Sequence, residues 1–132
     1  AVVPTERINT GRATMPERIA ISVAHIAGLS SPMDPRFGRA AGFLVVQDGE
    51  VLIELTNSAV NASHGAGTGA ASLMHDHGVG TVISGAFGPK AHAALTGFGI
   101  IMLVAPPGLT ATEALEKAQR GELKAQQMRV IR

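Results

Sequence analysis

Two arginines stand three positions apart in the segment GLSSPMDPRFGR, residues 28–39, which lies between two apolar runs. Arg36 and Arg39 are permanently charged, fork-shaped donors that can converge on one anion. Phe37 lies between them, and a loop held by strands at both ends is a common place for function. The segment therefore predicts an anion-binding site. The alternative is that Asp34 pairs with one arginine and only stiffens the turn.

A second candidate is the glycine-rich run HGAGTGA, residues 64–70. His64, Gly65 and Gly67 stand before or at the start of a predicted helix, where free backbone N–H groups and the helix dipole favour an anion. The run follows a polar loop and not a strand, so it is not a dinucleotide-binding fingerprint. Two alternatives stay open: the glycines allow close packing of helix on sheet, and His64 only caps the helix.

A third candidate is the run SGAFGPKAH, residues 84–92. It follows a predicted buried strand directly, so its turn opens at that strand's carboxyl end, where ligands of open α/β sheets bind. Gly85 and Gly88 admit close approach of a ligand, Phe87 offers an apolar surface, and Lys90 adds positive charge. The alternative is an ordinary turn from strand to helix, with a proline in the first helical turn.

The remaining polar residues offer little chemistry. The chain has no cysteine, which excludes disulfides, thiolate-bound iron–sulfur sites and thiol catalysis. His75 and His77 point in different directions on a helix and cannot chelate one ion. His64 and His25 are therefore the weak candidates for metal ligation. The predicted core strands carry no carboxylates, and no catalytic residue is predicted.

Length and composition limit the function further. With 132 residues, 45% of them hydrophobic, the chain predicts one domain with a real core. A net charge of +1 without a basic stripe, and four phenylalanines as the only aromatic residues, argue against nucleic-acid binding. No run approaches the roughly 18 apolar residues of a membrane span. We therefore expect a cytoplasmic protein.

The order of elements predicts an α/β sandwich with a mixed sheet of about five strands, flanked by helices. An Asp-Gly pair at residues 48–49 predicts a hairpin turn, and Thr110 with Glu113 predicts a capping box. The predicted strands cover residues 18–24, 42–47, 51–55, 80–84 and 99–104, and the predicted helices cover residues 66–77, 89–95 and 110–120. Residues 1–14 are expected to form a flexible extension, residues 15–121 the folded domain and residues 122–132 a polar, basic tail.

Together, the segments RFGRAA, HGAGTGAAS and SGAFGPKAH resemble the dinitrogenase iron-molybdenum cofactor-binding family over residues 19–121. The resemblance implies a ribonuclease-H-like fold and a non-catalytic carrier of a polyanionic molybdenum–copper sulfide cluster. Arg36 stands where nitrogenase-associated members often carry a histidine, which favours charge pairing over histidine ligation. The expected cluster-binding residues are Arg36, Phe37, Arg39, His64, Gly65, Gly67, Gly85, Phe87, Gly88 and Lys90.

Two other functions remain open. The first is a regulatory or scaffold module that binds a partner ATPase of the cell-division type, with the cluster as a signal or absent; this partner class is implied by the resemblance. The second is a small hydrolase acting on a phosphate ester, for which the chain offers no obvious base. In each case we expect a monomer that binds neither nucleic acid nor membrane.

Overall fold

A computed structural model describes residues 17–57 and 66–125 of the chain. Its strands are β1 (Arg18–Val23), β2 (Gly42–Gln47), β3 (Glu50–Thr56), β4 (Val79–Ser84), β5 (Ile101–Val104) and β6 (Lys124–Ala125). They form one mixed sheet in the order β3-β2-β1-β4-β5-β6. Strands β1, β4 and β5 run parallel, whereas β2, β3 and β6 are antiparallel to their neighbours.

The predicted α/β class and ribonuclease-H-like topology are confirmed, and within the described residues the sheet has six strands, one more than the approximate number predicted. The additional strand is β6, which pairs with the end of β5. A strand of two residues is too short to show an alternating pattern, so the sequence could not reveal it. The predicted extension, residues 1–14, lies outside the described residues, and so do residues 126–132 of the predicted tail.

The hairpin between β2 and β3 forms where the Asp-Gly pair predicted it. Asp48 and Gly49 both have positive φ angles, 56° and 81°. Such angles belong to the two-residue turn whose twist matches that of the flanking strands, and this turn favours glycine at its second position. The hairpin places β3 at the outer edge of the sheet.

In the part of the chain that the structure describes, three helices cover the two faces of the sheet: α1 (Ala66–Asp76), α2 (Pro89–Gly97) and α3 (Ala111–Gln119). The buried residues of α1 and α2 form one apolar cluster with one face of the sheet, and those of α3 form a second cluster with the other face. Successive side chains of β1 point to opposite faces of the sheet, so Ala20 belongs to the first cluster and Ile21 to the second. No helix in the described part of the chain has the length and apolar character that crossing a membrane requires.

The carboxyl ends of β1, β4 and β5 lie at one edge of the sheet because these strands are parallel. Helices α2 and α3 follow β4 and β5 and begin at the same edge. We call this edge the rim and define it as residues 24–41, 85–88 and 105–110. It contains two of the three segments in which the sequence predicts a site.

Thr110 is expected to stabilise the start of α3. Its hydroxyl accepts a hydrogen bond from the Glu113 N–H at 3.2 Å, and the Glu113 carboxylate accepts one from the Thr110 N–H at 2.9 Å. Replacing Thr110 by Ala should lower the free energy of unfolding by about 1 kcal/mol, measured by urea denaturation. Thr96→Ala, at an exposed position inside α2, is the matched control. Equal effects of the two substitutions would show that the cap contributes nothing specific.

Candidate functional site

The rim segment after β1 is fastened to the sheet at Asp34. The Asp34 N–H donates to the Ser22 carbonyl at 2.9 Å, and the Ser22 hydroxyl donates to the Asp34 carbonyl at 2.7 Å. The hydroxyls of Ser22 and Ser84 lie 2.8 Å apart, and all three residues are buried. Ser22, the last residue but one of β1, and Ser84, the last residue of β4, therefore fix one point of the arginine-bearing segment.

The first and third candidate segments lie directly against each other. The Phe37 N–H donates to the Ala86 carbonyl at 3.2 Å, and Arg36 and Ala86 form an isolated parallel β-bridge. At Gly85 the backbones are so close that a Cβ atom would lie 2.7 Å from the Pro35 Cα. Only glycine fits at this position without a backbone shift, so the two segments form one surface.

Asn57 holds the other end of the arginine-bearing segment. Its buried side-chain amide donates to the Ala40 carbonyl at 2.9 Å and to the Gly38 carbonyl at 3.2 Å, and its N–H donates to the Ala41 carbonyl at 3.0 Å. Arg39 lies between the two carbonyl groups that the amide binds. Asn57 therefore positions the peptide groups on both sides of Arg39.

Arg36 combines an exposed side chain with a buried partner. Its Nε lies 3.2 Å from one carboxylate oxygen of Asp34 and its Nη2 lies 3.3 Å from the other, while its N–H donates to Oδ1 at 2.8 Å. The hydrogen bond with Asp34, and then the charge attraction, raise the pKa of Arg36 above its ordinary value. The Arg36 side chain is 66% exposed and that of Asp34 only 6%.

The alternative interpretation of this segment predicted that Asp34 would pair with one of the two arginines, and the structure contains that pair. It does not use the guanidinium fully, because Asp34 engages Nε and Nη2 and leaves the two hydrogens of Nη1 for another acceptor. Stiffening of the turn and capture of an anion are therefore compatible. Arg39 is exposed on the same segment.

The two phenylalanines of the candidate site are rim residues whose side chains are buried. Phe37 is 1% exposed and Phe87 is 7% exposed, and their ring centroids lie 5.3 Å apart. Phe37 also contacts Phe43 of β2 at the same distance between centroids. The contacts between these rings connect both segments to the hydrophobic core.

The remaining candidates are distributed as follows. Gly67 allows α1 to approach α2, since a Cβ there would lie 2.9 Å from the Ala91 Cβ; the close packing is therefore against a helix and not against the sheet, as the packing interpretation had it. Gly88 and Lys90 are exposed where α2 begins, and His25 is exposed after β1. His64 and Gly65 lie outside the described residues.

The histidines at the end of α1 have structural contacts. The ring nitrogen Nδ1 of His77 lies 2.9 Å from the Leu73 carbonyl oxygen, and the His75 ring stacks on Phe98 with 4.2 Å between centroids. Among the described residues, no group of three or more His, Cys, Asp or Glu side chains is arranged to hold a metal ion. The arrangement at the rim is suited to an anion, which cationic side chains and N–H groups can bind.

Sequence reasoning missed three residues that position this surface: Ser22, Ser84 and Asn57. Each acts through a partner distant along the chain, the hydroxyls of Ser22 and Ser84 being 62 residues apart in sequence. The two serines stand inside strand-like runs and Asn57 stands at the end of one. The sequence signal that could have identified these three residues is a polar residue at or near the end of a predicted strand.

Residues 17–121 match the model of a family described as dinitrogenase iron-molybdenum cofactor. The fold is similar to that of the apo form of the orange protein from Desulfovibrio gigas, with a TM-score of 0.79 and 36% identity over 86% of this chain and 96% of that one. It is also similar to a putative NifB protein from Thermotoga, with a TM-score of 0.73 and 27% identity over 87% and 98% of the two chains.

A third similarity is to an uncharacterised protein of Methanocaldococcus jannaschii. That protein is 38% identical over 72 residues, which are 52% of this chain and 61% of the archaeal protein. The matched region thus spans less than two thirds of the length of this curated relative.

Asn57 offers a test of the positioning described above. Asn57→Ala leaves two buried carbonyl groups without this donor and should lower the free energy of unfolding by about 1–3 kcal/mol in urea denaturation. Asn57→Asp keeps the shape of the side chain but places acceptors against acceptors, so it should destabilise at least as much. A mild effect of Asp beside a large effect of Ala would mean that the amide only fills space.

Proposed function

The chain belongs to the dinitrogenase iron-molybdenum cofactor family, and on that premise we propose that it is a non-catalytic carrier of a polyanionic molybdenum–copper sulfide cluster. The observation that carries the proposal is the joining of two segments at the rim, one bearing Arg36 and Arg39 and the other leading to Lys90. The resulting surface carries permanent positive charge on a rigid support.

The chemistry of such a cargo suits a chain without cysteine. A metal-sulfide cluster brings its own soft ligands, so the protein need not supply a thiolate. Guanidinium and ammonium groups can bind the anion by charge, and N–H groups can donate to its sulfides. The structural neighbour from Desulfovibrio gigas was solved in an apo form, and a protein that has an apo form also has a loaded one. This likeness supports a binding function for the shared fold.

The proposed roles of the candidate residues follow from their placement. Arg36, Arg39 and Lys90 bind the cluster through charge, and Gly88 leaves space for it. His64 and Gly65 lie outside the described residues and are candidates from the sequence alone. The other candidates support this surface from beneath or allow its segments to meet: Phe37, Phe87, Gly67 and Gly85.

Uptake of a cluster is the direct test. The purified protein, incubated with tetrathiomolybdate and copper and then desalted, should retain molybdenum and copper and show visible charge-transfer bands. A colourless protein without bound metal would contradict the carrier function and favour the regulatory alternative. Copper alone and tetrathiomolybdate alone serve as controls, because the proposal requires the assembled cluster.

Retention of the cluster should weaken as salt is added. Exposed charges are screened over a Debye length of about 8 Å at physiological ionic strength and about 3 Å at 1 M. We expect the dissociation constant, measured by visible titration, to rise steadily between these conditions. The free cluster at the same salt concentrations controls for its own decay. A dissociation constant independent of salt would show that charge does not hold the cargo.

Arg36 must be tested together with Asp34, because removing the arginine alone leaves a buried carboxylate without its counter-charge. The double variant Asp34→Asn, Arg36→Gln keeps the local net charge and removes the guanidinium. It should bind the cluster about tenfold more weakly or worse, since a hydrogen bond to a charged group contributes about 1.5–3 kcal/mol.

Two further variants sharpen this test of Arg36. Asp34→Asn alone removes the competing carboxylate and should bind the cluster more tightly. Lys117→Gln removes one positive charge near the far end of α3 and should leave the affinity unchanged. Equal affinities in all three variants would exclude a contact between Arg36 and the cargo.

A further inference from the structure

His92 of α2 is buried, with only 6% of its surface exposed. Within the described residues 17–57 and 66–125, neither of its ring nitrogens, Nδ1 and Nε2, has a hydrogen-bond partner. Leaving a buried polar atom unpaired is costly, and the large majority of such atoms in proteins are paired. An unpaired imidazole therefore requires an explanation that packing alone does not give.

The position of His92 relates it to the rim. It lies in the first turn and a half of α2, which begins at the rim with Pro89, and its N–H donates to the Gly88 carbonyl at 2.8 Å. The neighbouring residue Ala91 contacts Gly67 in the first turn of α1. His92 thus stands just below the surface on which the cargo is proposed to bind.

The helix also directs this side chain toward that surface. Side chains on an α-helix lean toward its N-terminus, and residues four apart lie on the same face. The residue four positions before His92 is Gly88, which has no side chain, and a Cβ placed there would meet nothing within 4 Å. Gly88 is exposed, so it places no side chain of its own between this face of α2 and the rim.

We propose that His92 is a binding residue for the metal-sulfide cargo: its ring turns toward Gly88 and a ring nitrogen contacts the cluster. This inference rests on the carrier function proposed above. Imidazole suits the contact because one nitrogen can ligate copper while a protonated nitrogen can donate to sulfide. The contact would give the imidazole a partner for one of its ring nitrogens.

Replacing His92 by Phe separates binding from packing. Phe fills a similar volume and removes the unpaired polar atoms, so the midpoint of thermal unfolding should stay the same or rise. Affinity for the cluster formed from tetrathiomolybdate and copper should fall about tenfold or more, the range found when a group supporting a metal site is removed. Unchanged affinity in a folded His92→Phe variant would overturn the proposal and leave His92 a core residue.

A matched control is His75→Phe, the same change at the exposed end of α1, which should leave affinity unchanged. Wild-type protein loaded in parallel distinguishes the two proposals: failure of the wild type to take up the cluster contradicts the carrier function, whereas equal uptake by wild type and His92→Phe contradicts only the role of His92.

A second measurement does not depend on the variant folding. The ring ¹⁵N resonances of His92 in the wild-type protein should shift when the cluster is added, strongly for ligation to metal and less for a hydrogen bond to sulfide. Resonances that stay unchanged in the loaded protein would exclude either contact.

Discussion

The fastening of Asp34 to the ends of two parallel strands is the constraint on which the site depends. Both backbone polar groups of Asp34 bond to Ser22, whose hydroxyl contacts that of Ser84 on the adjacent strand. These groups are buried, where a satisfied network is strong and an incomplete one is costly. The pairing of β1 with β4 therefore determines where the rim segment lies.

The pair formed by Asp34 and Arg36 matters more for orientation than for stability. One partner is buried and the other is mostly exposed, and ion pairs with an exposed partner contribute little to folding. Their bonds nevertheless restrict the direction of the guanidinium before any ligand arrives. A cation whose orientation is already restricted loses less entropy on binding, which is the general advantage of preorganisation.

The elements that the sequence predicted correctly depend on local chemistry. The hairpin turn at Asp48 and Gly49 follows from two adjacent residues, and the cap at Thr110 from a pair three residues apart. The features that it did not reveal depend on distant partners or on burial. The amide of Asn57 bonds to carbonyls 17 and 19 residues away.

In the candidate site, too, local features were predicted from the sequence, whereas contacts between distant residues were not. The segments around Arg36 and Lys90 were predicted as a site from their residue types and from the family resemblance, whereas their contact through Phe37 and Ala86 required the fold. The burial of Phe87 could not be read from a glycine-rich turn, since an aromatic ring in a loop can face either way. The sequence alone does not single out His92, because its burial and its lack of partners among the described residues are visible only in three dimensions.

Peptide groups hold much of the rim segment in place. The Met33 N–H donates to the Leu109 carbonyl at 2.9 Å, the Ser31 carbonyl accepts from the Ala111 N–H at 2.8 Å, and the Phe37 N–H bonds across to the third segment. Hydrogen bonds between peptide groups do not depend on which side chains project outward. A substitution at the exposed position 39 can therefore change the surface chemistry of this segment while the backbone path is retained.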